Sequence, residues 1–73
     1  MNTYNVEITD TFAGDANYGW VTRHVIRARS PRGVATIMNR RSGLGFRRTG
    51  DYGDMCRYDS ASGATCMFVE IAE

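Results

Sequence analysis

One segment of this 73-residue chain carries the boundary signals of a helix at both ends, and it limits what the rest can form. Ser30 is a favoured N-cap residue, and Pro31 suits the first helical position because its missing N–H would have no partner there. Gly43 suits the left-handed position that ends a helix. Between these signals, apolar residues recur at helical spacing at Val34, Ile37 and Met38. The sequence therefore predicts one helix over residues 31–42.

Most of the remaining chain shows the two-residue period of β-strands. In the first such segment, Tyr4, Val6 and Ile8 alternate with polar residues. The predicted strands are residues 4–12, 20–29, 54–59 and 64–71, and residues 44–49 can form a further short strand. Turn-forming residues are concentrated at 13–19, 50–53 and 60–63.

These elements predict a single α+β domain over residues 1–73, with the order β-β-α-β-β and an antiparallel sheet. One helix covers only one face of a sheet, so the other face must be solvated or bound to a partner. A chain of 73 residues is too short for a two-domain enzyme, a Rossmann domain or a TIM barrel. No run of 18 apolar residues and no secretory signal are recognisable, so we expect neither a membrane span nor export.

The charges are unevenly distributed along the chain. All nine basic residues are arginines, and residues 16–50 hold eight of them and no acid. Residues 1–15 hold three acids and no base, and residues 51–73 hold five acids and one arginine. The formal net charge of +1 therefore hides a basic middle between two acidic ends.

The arginines have two readings that the sequence leaves open. Arg32 and the pairs at 40–41 and 47–48 could form a patch for phosphate or for an acidic protein surface. They could instead neutralise the acidic ends across the sheet, in surface ion pairs that contribute about 0–1 kcal/mol each. Arg23 and Arg27 could add a row on the second strand, if that row faces away from the helix in place of Trp20, His24 and Ile26. The candidate nucleic-acid-binding residues are Arg23, Arg27, Arg40, Arg41, Arg47 and Arg48.

The face away from the helix is predicted from the alternation in the strands. It is expected to hold Glu7, Thr9, Cys66, Phe68 and Tyr58. Cys56 and Cys66 lie ten residues apart around a predicted turn, so they could face each other across a hairpin. Their spacing matches neither a zinc site nor a C-x-x-C motif, and we expect free thiols unless the strands pair the two directly.

Signals of catalysis are weak. His24 is the only histidine, and it has no partner motif. The serines occupy cap or turn positions, and the spacing of Asp51, Asp54 and Asp59 fits no calcium loop. We therefore expect a protein that is not an enzyme and that holds no cofactor or metal.

Two stretches resemble short uncharacterised proteins encoded by bacteriophages and prophages. The first is residues 10–23, DTFAGDANYGWVTR, and the second is residues 51–58, DYGDMCRY, together with MFVE at 67–70. The resemblance covers most of the chain but carries over no functional residue. By analogy with its class, it implies a protein that disarms a host machine in the bacterial cytoplasm, as anti-CRISPR proteins do.

The resulting first hypothesis is a binding protein that blocks a host complex, such as a CRISPR effector, by steric or electrostatic means. Acidic and aromatic residues in two predicted turns are its candidate partner-binding cluster, because Tyr and Trp often anchor interfaces. The cluster is Asp15, Tyr18, Trp20, Asp51, Tyr52 and Asp54. A nucleic-acid-binding module is the alternative, and a homodimer that pairs open sheet faces or edge strands is a third reading.

Overall fold

The computed structural model describes residues 1–12 and 15–72, which form five strands and one helix. The elements in chain order are β1 (Asn2–Phe12), β2 (Asp15–Ala28), α1 (Pro31–Ser42), β3 (Arg47–Asp51), β4 (Met55–Asp59) and β5 (Thr65–Ile71). The strands form one antiparallel sheet in the order β2-β1-β5-β4-β3. The predicted α+β class, with one helix packed on an antiparallel sheet, is confirmed. The sheet has one strand more than the predicted order, because β3 forms and extends into the predicted turn at 50–53.

The helix begins and ends where its signals predict. The Ser30 hydroxyl accepts a hydrogen bond from the Gly33 N–H at 3.2 Å. Gly43 adopts the left-handed conformation with φ of 72°, and its N–H donates to the Asn39 carbonyl at 2.8 Å. Val34, Ala35 and Met38 are buried against the sheet, which stabilises a segment that would be too short to persist alone.

Strand register assigns each side chain to one of two faces. Val6 pairs with Val69, and Ile8 pairs with Met67, so these four buried residues lie on the helix side of the sheet. Glu7 pairs with Phe68 on one side and with Arg23 on the other, which places all three on the open face. Register also resolves the ambiguity in β2, because Arg23 and Arg27 lie on the open face whereas the buried Ile26 lies on the helix side.

One prediction about the open face was wrong, that for Tyr58, and Cys56 and Cys66 do not face each other across the hairpin. Tyr58 pairs with Met67 and therefore lies on the helix side, while Arg57 pairs with Phe68 and takes the open position. Cys56 pairs with Val69 on the helix side, whereas Cys66 pairs with Asp59 on the open face. The β4–β5 register thus turns the two thiols to opposite faces, and both are buried and free.

The predicted loop at 13–19 was also wrong over Asp15–Gly19, which belongs to β2; Ala13 and Gly14 lie outside the described residues. The Asp10 carboxylate explains how these turn-forming residues enter a strand. It accepts hydrogen bonds from Asn17 Nδ2 at 2.9 Å and from the Gly19 N–H at 3.1 Å. Tyr18, between these two donors, has a φ of 57°, and the β1–β2 register shifts at this point. The hairpin therefore continues through a bulge.

Candidate functional site

A groove of about 470 Å³ lies between α1 and β3 on the helix side of the sheet. It exists because α1 packs mainly against β2 and β5, so β3 at the sheet edge stays uncovered. Arg32 on α1 lines one wall, and Arg47 and Arg48 on β3 line the other. The remaining lining residues are Ala35, Thr36, Asn39, Phe46 and Tyr58.

Asn39 sets the position of β3 relative to the helix. Its Oδ1 accepts a hydrogen bond from the Phe46 N–H at 2.6 Å, and its Nδ2 donates to the Phe46 carbonyl at 3.2 Å. Phe46 is buried, so the residue immediately before β3 is anchored both by packing and by hydrogen bonds. This anchor positions β3, and Arg48, which pairs with Tyr58, lies on its helix side.

The arginines of the groove are poorly neutralised. Within residues 1–12 and 15–72, the ion pairs are Arg23–Glu7 at 3.1 Å, Arg57–Asp59 at 3.0 Å and Arg48–Asp51 at 3.8 Å. Only the last involves the groove, and its side chains are 58% and 60% exposed, so its contribution to stability is small. Neutralisation of the basic middle by the acidic ends therefore occurs at Arg23 and weakly at Arg48, whereas the arginines of α1 form no ion pair with a described residue.

The fold concentrates positive charge on α1 and β3, which carry five arginines and one acid, Asp51. Residues 29–50, which supply α1 and most of β3, contain six arginines and no acid. Glu7, Asp59 and Glu70 lie on the open face instead. We define the basic surface as the arginines carried by α1 and β3, which are Arg32, Arg40, Arg41, Arg47 and Arg48.

Arg32 occupies a position that local helix energetics disfavour. It lies in the first turn of α1, where the helix dipole repels a cation, and that turn contains no acid. Such a violation of a local rule is typical of functional positions. The sequence places Arg32 in a candidate basic patch but not among the candidate nucleic-acid-binding residues. Its place in the first turn of the predicted helix, where a cation is disfavoured, was a sequence signal that could have added it.

Tyr58 lies at the floor of the groove and is 4% exposed. Burial raises the pKa of Tyr58, and the nearby charges of Arg48 and Arg32 act in the opposite direction. The phenol is therefore a neutral hydrogen-bond donor at neutral pH. Its hydroxyl makes no hydrogen bond to any residue in the described part of the chain.

The open face carries a second concavity of about 510 Å³, of different character. Its charged residues are of both signs, and Arg23 is already paired with Glu7. Next to it, the Arg57 guanidinium lies 5.8 Å from the centre of the Phe68 ring. The other lining residues include Tyr18, Met55 and Val25, the last 68% exposed. This surface is mixed and partly apolar, and it offers no excess of positive charge.

The structure divides the predicted partner-binding cluster into two groups. Asp15, Tyr18 and Trp20 lie on β2, near the hairpin that joins it to β1, whereas Asp51, Tyr52 and Asp54 lie at or beside the β3–β4 turn. Strands β2 and β3 are opposite edges of the sheet. A hydrogen bond from the Thr11 N–H to the Ala64 carbonyl places the β1–β2 hairpin beside the β4–β5 hairpin, at the other end of β4 from the β3–β4 turn. The two groups therefore occupy opposite corners.

Several predicted site residues have local structural roles. Tyr52 lies over Gly50, so that a Cβ at Gly50 would be 2.6 Å from the Tyr52 hydroxyl. Asp51 Oδ1 accepts a hydrogen bond from the Gly53 N–H at 3.1 Å, which stabilises the β3–β4 turn. Of the candidate nucleic-acid-binding arginines, the structure brings Arg47 and Arg48 to the groove, keeps Arg40 and Arg41 on α1, and separates Arg23 and Arg27 on the open face.

Comparisons with known proteins identify no relative of this chain. No family model, curated protein or solved structure matches the chain. Within the described ranges, no cluster of three or more His, Cys, Asp or Glu residues could hold a metal ion. In the same part of the chain, no helix has the length and apolar character needed to cross a membrane.

Proposed function

We propose that the protein binds nucleic acid through its basic surface. The observation that carries this proposal is the groove in which Arg32 and Arg48 lie on opposite walls, with one weakly held carboxylate, Asp51, nearby. Arginine suits this role because its planar guanidinium can donate two parallel hydrogen bonds to phosphate oxygens. The charge of these two elements supports the proposal, since α1 and β3 carry five arginines and one acid, Asp51.

The proposal implies a strong dependence on salt. Each phosphate neutralised by an arginine releases condensed counterions, so that log K falls with log salt by about 0.7 per contact on single strands and about 0.9 on duplex DNA. Engagement of the whole basic surface corresponds to a slope of about −3.5 on single strands and about −4.5 on duplex. A protein–protein contact of ordinary composition would have a much smaller slope.

Fluorescence anisotropy with labelled single-stranded DNA, RNA and duplex DNA, measured over a range of salt concentrations, tests the proposal. The double variant Arg40→Gln/Arg41→Gln should bind more weakly and reduce the magnitude of the slope by about 1.4 to 1.8. Arg23→Gln/Arg27→Gln removes the same charge from the open face and should leave the slope unchanged. The absence of binding at low ionic strength, or equal effects of both double variants, would refute the proposal.

Inhibition of a host protein complex, such as a CRISPR effector in the bacterial cytoplasm, remains a second proposal. Tyr18 and Trp20 support it, because they are 54% and 48% exposed on one strand near a hairpin. Since Asp51, Tyr52 and Asp54 lie at the opposite corner, such a partner would use one group or span the molecule. Capture of host proteins by the wild-type chain, but not by Tyr18→Ala/Trp20→Ala, would support this function; equal capture by both would exclude this surface.

A further inference from the structure

We propose that the groove between α1 and β3 contains a seat for one phosphoryl group, held by Arg32, Arg48 and the hydroxyl of Tyr58. This inference deepens the proposed function, because it names the place where a single phosphate makes directed contacts. A basic surface alone attracts a polyanion without a fixed contact point. A seat would bind even a small phosphate, with a defined set of donors.

The volume of the groove fits such a ligand. At about 470 Å³ it lies within the usual range of small-molecule sites, about 300–1,000 Å³. It has room for a phosphoryl group together with the sugar or other residue attached to it. Ala35 and Phe46 contribute apolar, buried lining, and this low-dielectric surrounding strengthens hydrogen bonds between charged partners.

The polar groups of the lining divide into those already used and those free to bind. The Thr36 hydroxyl donates to the Arg32 carbonyl at 3.1 Å, and both side-chain atoms of Asn39 bond to the Phe46 backbone. The Tyr58 hydroxyl, in contrast, makes no hydrogen bond to a described residue. Tyr58 as a whole is 4% exposed and lines the groove, so its hydroxyl can donate to water or to a ligand atom held in the groove.

The two arginines approach this floor from opposite walls. Arg32 extends from the first turn of α1, and Arg48 extends from β3, the strand paired with β4 on which Tyr58 lies. Arg48 is paired to Asp51 only at 3.8 Å, so a phosphate could replace this contact at small cost. The disfavoured position of Arg32 at the helix start also becomes favourable, because a bound anion interacts well with both the arginine and the helix dipole.

Titration with inorganic phosphate, followed by amide chemical shifts at constant ionic strength with chloride as the reference anion, tests the seat. The largest shifts should occur at residues 32, 48 and 58. Tyr58→Phe and Arg32→Gln should each weaken phosphate binding about tenfold, the size expected for loss of one hydrogen bond to a charged group. Tyr52→Phe removes a phenolic hydroxyl and Arg27→Gln removes an arginine outside the groove, so both should bind phosphate as the wild type does.

Oligonucleotides identify the source of the phosphoryl group. Tighter binding of a 5′-phosphorylated strand than of its 5′-hydroxyl counterpart, lost in Arg32→Gln, would assign the seat to a terminal phosphate monoester. Equal binding of both strands, weakened alike by Arg32→Gln, would assign it to the phosphodiester backbone.

The seat and the nucleic-acid function can fail independently. Phosphate shifts that spread evenly over the arginines, or wild-type phosphate affinity in both Tyr58→Phe and Arg32→Gln, would overturn the seat even if oligonucleotides still bind. Phosphate binding with the expected variant effects, but with no oligonucleotide binding, would support the seat and refute the nucleic-acid function. Arg32 is exposed, so Arg32→Gln keeps the test decisive if Tyr58→Phe does not fold.

Discussion

Arg48 Nη1 lies 3.8 Å from Asp51 Oδ2 along the edge strand β3, at the margin of the basic groove. The separation is long for an ion pair, and both side chains are more than half exposed. Asp51 has a better contact through its other oxygen, which accepts from the Gly53 N–H at 3.1 Å. The carboxylate therefore serves the turn more than it neutralises the arginine, and its charge opposes any anion that approaches Arg48.

Asp51→Asn should consequently increase affinity for oligonucleotides, by up to about fivefold, because exposed pairs of this kind are worth about 0–1 kcal/mol. The amide oxygen of Asn can still accept from Gly53, so the melting temperature should change little. Anisotropy at low salt measures the effect, and Asp54→Asn in the adjoining turn is the matched control. A decrease in affinity would contradict this prediction and favour a role of Asp51 in direct partner contact.

Gly43 should be sensitive to substitution for a purely conformational reason. Its φ of 72° is in the left-handed region, and a Cβ built there would meet no atom within 4 Å. Gly43→Ala should therefore destabilise the protein by about 1–2 kcal/mol through backbone strain alone. For a domain of this size, the melting temperature should fall by about 4 to 16 °C in a thermal unfolding experiment. Gly43→Asn should lower the melting temperature less than Gly43→Ala does, because Asn tolerates the left-handed conformation better. An equal decrease in both variants would show that the strain explanation is wrong.

Asp10 should make stability depend on acid pH. Its hydrogen bond from Asn17, with that from Gly19, lowers the pKa of the Asp10 carboxyl, whereas unfolding removes these donors and restores the ordinary value. Because the pKa is lower in the folded state, the carboxylate stabilises the fold fully at pH values above its unfolded-state pKa. This stabilisation is lost as the pH falls through the folded-state pKa. Asp10→Asn should thus melt below the wild type at neutral pH.

The same comparison at acid pH provides the check. The difference in melting temperature between wild type and Asp10→Asn should shrink below about pH 4, as the wild-type carboxyl becomes protonated. Asp15→Asn, which removes one negative charge from an exposed position on the same hairpin, is the matched control variant. A difference that persists unchanged to low pH would mean that the charge of Asp10 is not what stabilises the bulge.

Both thiols should be protected from reagents in the folded protein. Cys56 and Cys66 are buried on opposite faces of the sheet, and burial raises the pKa of the Cys66 thiol, so little thiolate forms at neutral pH. A thiol-reactive chromogenic reagent should label neither residue rapidly, and should label both after denaturation. Reductant should not alter the melting temperature. An intramolecular disulfide by mass spectrometry would show that the register of β4 and β5 is wrong.

Local sequence signals predicted the fold well where short-range contacts determine the structure. Ser30, Pro31 and Gly43 act through their own hydrogen bonds and backbone conformations, so the boundaries of α1 could be predicted without knowledge of the sheet. The alternation of Tyr4, Val6 and Ile8 likewise predicted their common face, because neighbouring side chains of a strand point in opposite directions. The strand assignment of Asp15–Gly19 could not be predicted in this way, since it depends on hydrogen bonds to Asp10 across the hairpin.

What the sequence by itself determined was the helix, the alternating strands and the concentration of arginine in residues 16–50. Only the tertiary structure decided which charges share a surface. The order β2-β1-β5-β4-β3 separates Trp20 from Tyr52 and brings Arg32 opposite Arg48 across a floor formed by Tyr58. The physical reason is that strand order and register depend on contacts between residues far apart in the chain. A one-residue change of register in β4 would have turned Tyr58 away from the groove, with little change in any local pattern.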